Sequence, residues 1–315
     1  MRLIKDETKI DFIGKRHIGA AFSLTLIVIS IASLIYHGGP NYGIDFNGGT
    51  IIQLKFSETP QISDVRKVVG DLDMGDFHIQ EFGDPKELLI RAPMAEEGNG
   101  KETQAQKAEA ALKDKFGDGF IIERVEMVGP KVGSDLREKA VLALFYSLAG
   151  ILIYITFRFE FRFGVAAIMA LVHDTIITVG AFSIMDKEFT LTVIAALLTV
   201  IGYSLNDTIV VFDRVRENLR FKRGVDTIEI LNVSINQTLS RTLLTSGTTL
   251  FVVLAIFFLG GEVIHDFSFA LLVGIAVGTY SSIYVASPIL LLWPSMSGKK
   301  GSTPARGRAK KGAKA

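Results

Sequence analysis

Two ionisable residues, Asp207 and Arg241, lie within or at the edge of apolar stretches long enough to cross a membrane. Charged side chains are costly in lipid, and those found there commonly face a bundle interior and mark proton or ion pathways. One stretch ends and the next begins on the same side, so the two side chains lie at similar depth. We predict a proton relay in which approach and withdrawal of Arg241 switch the protonation of Asp207. The alternative is a static buried ion pair that fastens two helices.

A second pair, His173 and Asp174, lies near the middle of another apolar stretch. Adjacent positions on a helix point about 100° apart, so only one of the two can face a given neighbour squarely. We predict Asp174 to be a second relay group, with His173 bonded to a helix carbonyl or to a partner. A hydrogen-bonded structural pair is the alternative.

Hydroxyl and amide side chains surround the first two residues. Tyr203 and Asn206 precede Asp207, and Thr245 follows Arg241 by about one helical turn. We predict that these three line a water-filled pathway. Packing is the alternative, because such side chains often bond to backbone carbonyls or across helix contacts in membranes.

The composition indicates a membrane protein with segregated charges. Of 315 residues, 49% are hydrophobic and 21% charged, and the mean hydropathy is +0.36. A net charge of +1 argues against a basic surface for nucleic acid. The chain has no cysteine, and its five histidines lack metal-ligand spacing. We therefore expect no metal and no cofactor, with the proton as the coupling ion.

Six apolar runs are long enough for membrane helices, since a bilayer core about 30 Å thick needs about 20 residues. The predicted spans are residues 18–36, 139–157, 163–185, 189–212, 241–259 and 267–293. The first is expected to be an uncleaved anchor, because no small-residue cleavage site follows it.

Lysine and arginine fall on one side of these spans. They occupy the N-terminal tail (1–17), a turn with Arg158 and Arg162, the loop 213–240 and the tail 294–315. Because short cytoplasmic loops carry the positive charge, both termini are predicted to be cytoplasmic. Within the loop, residues 226–240 have helical spacing and are predicted to lie along the membrane surface. The basic tail is predicted to be disordered and held near anionic lipid.

The segment 37–138 is polar, and its element order βαββαβ predicts a ferredoxin-like α+β domain outside the cytoplasm. Its first residues contain Gly43, Asp45, Gly48 and Gly49, which predict a tight turn leading into a strand. A phosphate loop is excluded, because no Lys-Ser or Lys-Thr follows and no helix is expected to open there.

Several motifs occur together and in a fixed order. They are GIDFNGG at residues 43–49, HD at 173–174, GYSLNDT at 202–208, FDRVREN at 212–218, QTLSRTL at 237–243 and SSIYVAS at 281–287. Over residues 10–293 the chain resembles SecF, the smaller component of the SecD/SecF protein-export family of the RND superfamily. Only the basic tail lies outside this resemblance.

The resemblance implies half of an RND-type transporter that is not an enzyme. It implies an inner-membrane subunit of the Sec translocase that works in an obligate complex with SecD beside the SecYEG channel. In that family the proton gradient helps to draw preproteins out on the periplasmic side, where the domain 37–138 would lie. The family's relay residues correspond to Asp207 and Arg241, and Asp174 belongs to a family motif as well.

Three other readings remain. A proton-coupled RND-type exporter of small molecules would share the scaffold, but usually has both halves and a larger external region. An intramembrane aspartyl protease would need two facing carboxylates, and Asp174 and Asp207 differ in depth, with Arg241 close to one of them. A purely structural scaffold is the third.

Overall fold

The computed structural model describes residues 9–72, 77–93, 104–222, 224–261 and 264–293. In chain order the elements are α1 (Arg16–Tyr36), α2 (Ile44–Asn47), β1 (Gly49–Phe56), α3 (Ile62–Gly70), β2 (His78–Phe82), β3 (Asp84–Ala92), α4 (Gln104–Phe116), β4 (Phe120–Val128), α5 (Pro130–Arg158), α6 (Phe161–Ile184), α7 (Leu191–Phe221), α8 (Thr227–Leu259), α9 (His265–Ser281) and α10 (Ser287–Ile289). Residues 1–8 of the predicted N-terminal tail and the whole basic tail 294–315 lie outside the described residues.

The membrane part is a bundle of six long helices. Within the described ranges, α1, α5, α6, α7, α8 and the span Ile264–Leu292 are long and apolar enough to cross a bilayer. The predicted six-span architecture is thereby confirmed. Between 50% and 56% of the apolar windows of α6, α7 and the last span is buried, against 11% to 17% in α1, α5 and α8. The three central helices therefore form the bundle interior.

Close helix contacts at glycines bring these central helices together. A Cβ added to Gly274 on α9 would lie 2.3 Å from the Val200 side chain of α7, and one on Gly278 would lie 2.8 Å from Ser204. Small residues permit such approach, which is the main source of helix association in membranes.

The helices extend beyond the predicted spans. α5 begins at Pro130 rather than at residue 139, α7 continues to Phe221 rather than 212, and α8 begins at Thr227 rather than 241. Residues 213–240 are therefore mostly helical and not a loop. Residues 226–240, predicted to have helical spacing and to lie along the membrane surface, are helical from Thr227 and open the continuous helix α8.

The α7–α8 hairpin persists past the apolar runs because it has a polar and an apolar contact layer of its own. Asn218 Nδ2 donates to Ser234 Oγ and to Gln237 Oε1, each at 2.9 Å. Val215 and Leu231 are fully buried in a cluster that includes Ile13, Phe12 and Ile235. The hydropathy of the sequence therefore detects only the apolar length of such a helix and not its polar extension.

The segment between α1 and α5 forms a four-stranded sheet of order β2-β3-β1-β4 in which all neighbours are antiparallel. This is the order of the ferredoxin-like βαββαβ fold, and the prediction of that fold is confirmed. Ile52, Leu54 and Leu88 of the sheet are buried together with Val65 of α3 and Leu112 of α4. The sheet domain follows α1 and precedes α5, so it lies at one end of the bundle.

Candidate proton-relay site

Asp207 lies in the bundle interior, where three helices meet. Its side chain is 3% exposed, and its Oδ2 accepts a hydrogen bond from Ser246 Oγ of α8 at 3.0 Å. Thr279 Oγ1 of α9 donates to Ser246 Oγ at 2.9 Å. A chain of hydroxyl groups thus joins α9 and α8 to the carboxylate on α7.

Arg241 is exposed and is not part of this series of hydrogen-bonded hydroxyl groups. It precedes Ser246 by five positions on α8, which is about 7.5 Å along the helix axis. In the part of the chain that the structure describes, Arg241 forms no ion pair within 4.0 Å. The hydrogen-bond partner of Asp207 in this structure is therefore a serine hydroxyl and not the Arg241 guanidinium.

Arg241 faces a polar cavity of about 290 Å³ at the end of the bundle that is opposite to the sheet domain. Arg158, Asp213 and Glu217 also line this cavity. Arg158 Nη2 lies 3.7 Å from Asp213 Oδ1. Charged, water-accessible groups thus reach to within a few turns of the buried Asp207.

Asp174 occupies a second buried polar cluster and is 1% exposed. Its Oδ2 accepts hydrogen bonds from Ser204 Oγ of α7 at 2.6 Å and from Ser281 Oγ of α9 at 2.9 Å. Its Oδ1 lies 2.9 Å from His173 Nδ1. Within this chain His173 contacts the neighbouring acid and not a helix carbonyl, which is the hydrogen-bonded pair given above as the alternative.

The two carboxylates belong to adjacent but separate clusters. Ser204, which contacts Asp174, precedes Asp207 by three positions on α7, or about 4.5 Å along its axis. The hydrogen bonds of Asp174 and of Asp207 share no donor. An aspartyl protease needs two carboxylates that share one proton, and this arrangement does not supply such a pair.

The three residues predicted to line a pathway do not converge. Tyr203 is half-buried, and its hydroxyl donates to Thr249 Oγ1 at 3.1 Å. Thr245 Oγ1 returns to the backbone of its own helix, at 3.0 Å from the carbonyl of Arg241. Asn206 is exposed on the open side of α7.

Sequence reasoning did not identify the hydroxyl groups of the last span that take part in the two polar clusters, one through Ser246 and one directly at Asp174. Thr279 and Ser281 supply them, two positions apart on α9. The sequence does show several hydroxyl residues in an otherwise apolar span. Which of them face the buried acids depends on the rotation of the helix about its axis, which the sequence does not give.

The glycine-rich segment near the sheet domain contacts the start of the relay helix. Asp45 Oδ2 accepts a hydrogen bond at 2.9 Å from the backbone N–H of Leu191, the first residue of α7. The N–H of Gly43 donates to the carbonyl of Phe189 at 3.0 Å. The expectation that no helix opens here is wrong, because the segment forms the single turn α2.

Gly48 and Gly49 lie between α2 and the sheet. Gly48 has φ 77°, in the left-handed region that glycine tolerates, and Gly49 begins strand β1. One short segment thus connects the sheet domain to the first turn of the helix that carries Asp207. Among the described residues, no group of three or more potential metal ligands comes together.

The glycine-rich segment and the helices each match a known family. Residues 34–60 match the family described as SecD/SecF GG Motif, and residues 107–296 match Protein export membrane protein SecD/SecF, C-terminal. The chain belongs to the SecD/SecF family. The resemblance inferred from the motifs is confirmed, and with its six apolar helices this family member is a multi-pass inner-membrane protein.

Similar proteins extend over almost the whole chain. Protein translocase subunit SecF of Calditerrivibrio nitroreducens is 50% identical, with 94% of this chain and 98% of that protein covered. The subunit of the same name from Vibrio alginolyticus is 47% identical, with 92% and 91% covered.

Solved SecDF structures share the fold. The crystal structure of SecDF from Thermus thermophilus matches with a TM-score of 0.80 and 38% identity over 92% of this chain. SecDF in a super-membrane-facing form matches with a TM-score of 0.69 and 37% identity over 93% of this chain. In both, this chain spans 39% of the SecDF chain.

Proposed function

We propose that this chain is an accessory subunit of the Sec protein translocase, which acts with SecD and uses the proton gradient to promote preprotein export across the inner membrane. The observation that carries the proposal is a buried carboxylate, Asp207, on a helix whose first turn is bonded to the sheet domain through Asp45. Proton binding and domain movement then act on the same helix.

Protonation of Asp207 is the event that drives the cycle in this proposal. The ionised carboxylate is stabilised by the Ser246 hydroxyl and, when Arg241 approaches, by its guanidinium. The neutral acid loses the attraction to the guanidinium and holds the Ser246 hydroxyl less firmly, so α7 and α8 can shift against each other more easily. A proton that crosses the membrane releases about 2.3 kcal/mol per 100 mV, which is enough to bias two conformations of similar free energy.

The proposed orientation follows from the positive charges at the end of the bundle that faces away from the sheet domain. Arg158, Arg214, Arg216 and Arg220 lie there, at the end of α5 and in the last turns of α7. Short cytoplasmic segments are rich in Lys and Arg, which puts both termini in the cytoplasm and the sheet domain in the periplasm. The basic tail 294–315 is proposed to contact anionic lipid.

The proposed partner SecD covers the open face of the relay helix. Ala195, Thr199, Gly202 and Asn206 are exposed and follow one another at helical spacing, although the other side of α7 is buried. Small and polar residues at that spacing suit contact with another membrane helix. This chain matches 39% of the SecDF chain, and the larger remainder has no counterpart in it, which supports an obligate heteromer with SecD. The SecYEG channel and the translocating preprotein are the further proposed partners.

The proposal is tested with membrane vesicles that contain the chain, SecD and the Sec channel. Asp207→Asn and Arg241→Met are each expected to leave the complex assembled and to abolish the stimulation of export by the proton gradient. Asp135→Asn, the same chemical change at an exposed position of α5, is the control and is expected to keep the stimulation.

Normal stimulation in either relay variant contradicts the proposal. The small-molecule alternative makes the opposite prediction, since preprotein export would then be indifferent to Asp207 while proton-dependent efflux of small molecules would require it.

A further inference from the structure

His173 has one ring nitrogen in use and one that is buried without a hydrogen bond. The residue is 4% exposed, Nδ1 contacts Asp174, and Nε2 has no partner among the described residues. When Asp174 is ionised, Nδ1 carries the hydrogen and Nε2 presents a lone pair. Buried polar atoms in proteins are nearly always satisfied, so a nitrogen left in this state is a site for a proton or a donor.

The unpartnered ring belongs to the wall of a cavity of about 540 Å³ between α1, α6 and the last span. On α1 the lining runs from Arg16 to Ile27, which is about 16 Å along the helix axis. That length is about half of the bilayer core. The cavity therefore leads from the bundle end opposite to the sheet domain to the depth of His173.

We propose that His173 and Asp174 form a second protonation site, distinct from Asp207, that exchanges protons through this cavity at His173 Nε2. The site extends the proposed proton-driven function and rests on it. Ser23 and Tyr280, which are bonded to each other at 3.1 Å, add polar groups close to the inner end of the cavity.

The transfer requires only three atoms, Nε2 and Nδ1 of His173 and Oδ1 of Asp174. A proton arrives at Nε2 and makes the ring an imidazolium. The ring then gives its Nδ1 proton to Asp174 Oδ1, across the 2.9 Å contact. One proton is taken up, the ring is again neutral with its hydrogen on Nε2, and no bond between heavy atoms changes.

Protonation of Asp174 changes the contacts among three helices. Hydrogen bonds to an ionised group are roughly twice as strong as neutral ones, so a neutral Asp174 holds Ser204 of α7 and Ser281 of α9 less firmly. Ser281 is followed directly by a π-helical turn, Ser282–Ala286, a feature that is common at functional sites. Both protonation sites then act on α7, through Ser204 and Asp207.

The environment of the pair makes the exchange slow. The cavity is lined mostly by apolar side chains, and Leu24 and Met169 in its wall are exposed on the bundle surface, so water enters it only transiently. The ionisable groups that line the cavity or lie nearest to the pair on the packed helices are Arg16 and His17 of α1, Asp207 of α7, and Tyr280 and Tyr284 of the last span.

The test uses the full chain with SecD in lipid vesicles and follows the infrared band of protonated carboxyl groups against pH and in deuterated water. The contribution of Asp174 is identified as the band that is lost in Asp174→Asn and kept in Asp207→Asn. In His173→Gln, hydrogen–deuterium exchange of that band is expected to slow by about 100-fold, since a positioned proton donor contributes 10²–10⁴-fold. Exchange at Asp207 is expected to stay unchanged.

A second pair of variants tests the route with His173 intact. Ala20 and Ala21 are both exposed on α1, but only Ala20 lines the cavity. Ala20→Phe is expected to slow exchange at Asp174, and Ala21→Phe is the matched control with native exchange. The inference is overturned if Asp174→Asn removes no titrating band, or if exchange at Asp174 is the same in His173→Gln and Ala20→Phe as in the native chain. Either result leaves the export test at Asp207 unaffected.

Discussion

Replacing Asp45 by alanine removes the acceptor that caps the relay helix from the sheet-domain side. In the native chain the Asp45 carboxylate accepts the N–H of Leu191 at 2.9 Å, and the residue before α7, Thr190, forms no side-chain cap of its own. Loss of such a cap costs about 0.5–2 kcal/mol. Opening of the first turn of α7 is therefore expected to become about 2- to 30-fold more frequent.

Amide hydrogen exchange measures this opening directly at Leu191, in the full chain bound to SecD in lipid. Asp45→Asn retains an acceptor oxygen and loses only the charge at the helix start, which is worth about 0.3–1 kcal/mol, so about a 2- to 5-fold increase is expected. Asp64→Ala is the control, because Asp64 pairs with Lys115 within the sheet domain and does not contact α7.

Export measured in the same vesicles tests whether the Asp45 bond couples α7 to the sheet domain. If the bond to Asp45 transmits movement between α7 and the sheet domain, stimulation of export by the proton gradient falls as exchange at Leu191 rises. Unchanged exchange in Asp45→Ala would refute the capping role. Increased exchange with normal stimulation would refute the role in transmission.

Two further substitutions test the bundle interior. Ser246→Ala removes the hydroxyl bonded to Asp207 and is expected to reduce proton-gradient stimulation while the complex still assembles. Thr248→Ala is the control, because among the described residues its hydroxyl bonds only to the backbone of its own helix. An equal effect of both variants would contradict a specific role for Ser246. Gly274→Ala introduces a Cβ into the α7–α9 contact and is expected to destabilise the detergent-solubilised chain by about 1–3 kcal/mol. Gly247→Ala meets no neighbour within 4 Å and is expected to stabilise α8 slightly, so a fall in melting temperature only for Gly274→Ala supports the close contact.

Local pattern was sufficient for the architecture. Apolar runs of about 20 residues indicate membrane helices because the bilayer has a fixed thickness, and the alternation of polar and apolar positions indicates the βαββαβ order. The same reasoning found Asp174 and Asp207, because a carboxylate in an apolar run needs no alignment or structure to be noticed. The motifs then pointed to the family that the comparisons established.

The end of α7 and the start of α8 could not be predicted from the apolar runs. The polar residues after Phe212 lower the hydropathy, but Asn218 and the buried Val215 hold the hairpin together outside the apolar runs. A window of composition cannot distinguish a loop from a helix that is stabilised by packing.

Local composition is enough to show which side chains are costly in a membrane and therefore where the candidate relay lies. Their partners follow from the packing of the helices: Ser246 rather than Arg241 contacts Asp207, His173 contacts Asp174, and Asp45 caps α7 from another part of the chain. The reason is that burial in lipid follows from local composition, whereas a hydrogen bond between helices depends on their rotation and separation. Both of those are set by contacts between residues far apart in the chain.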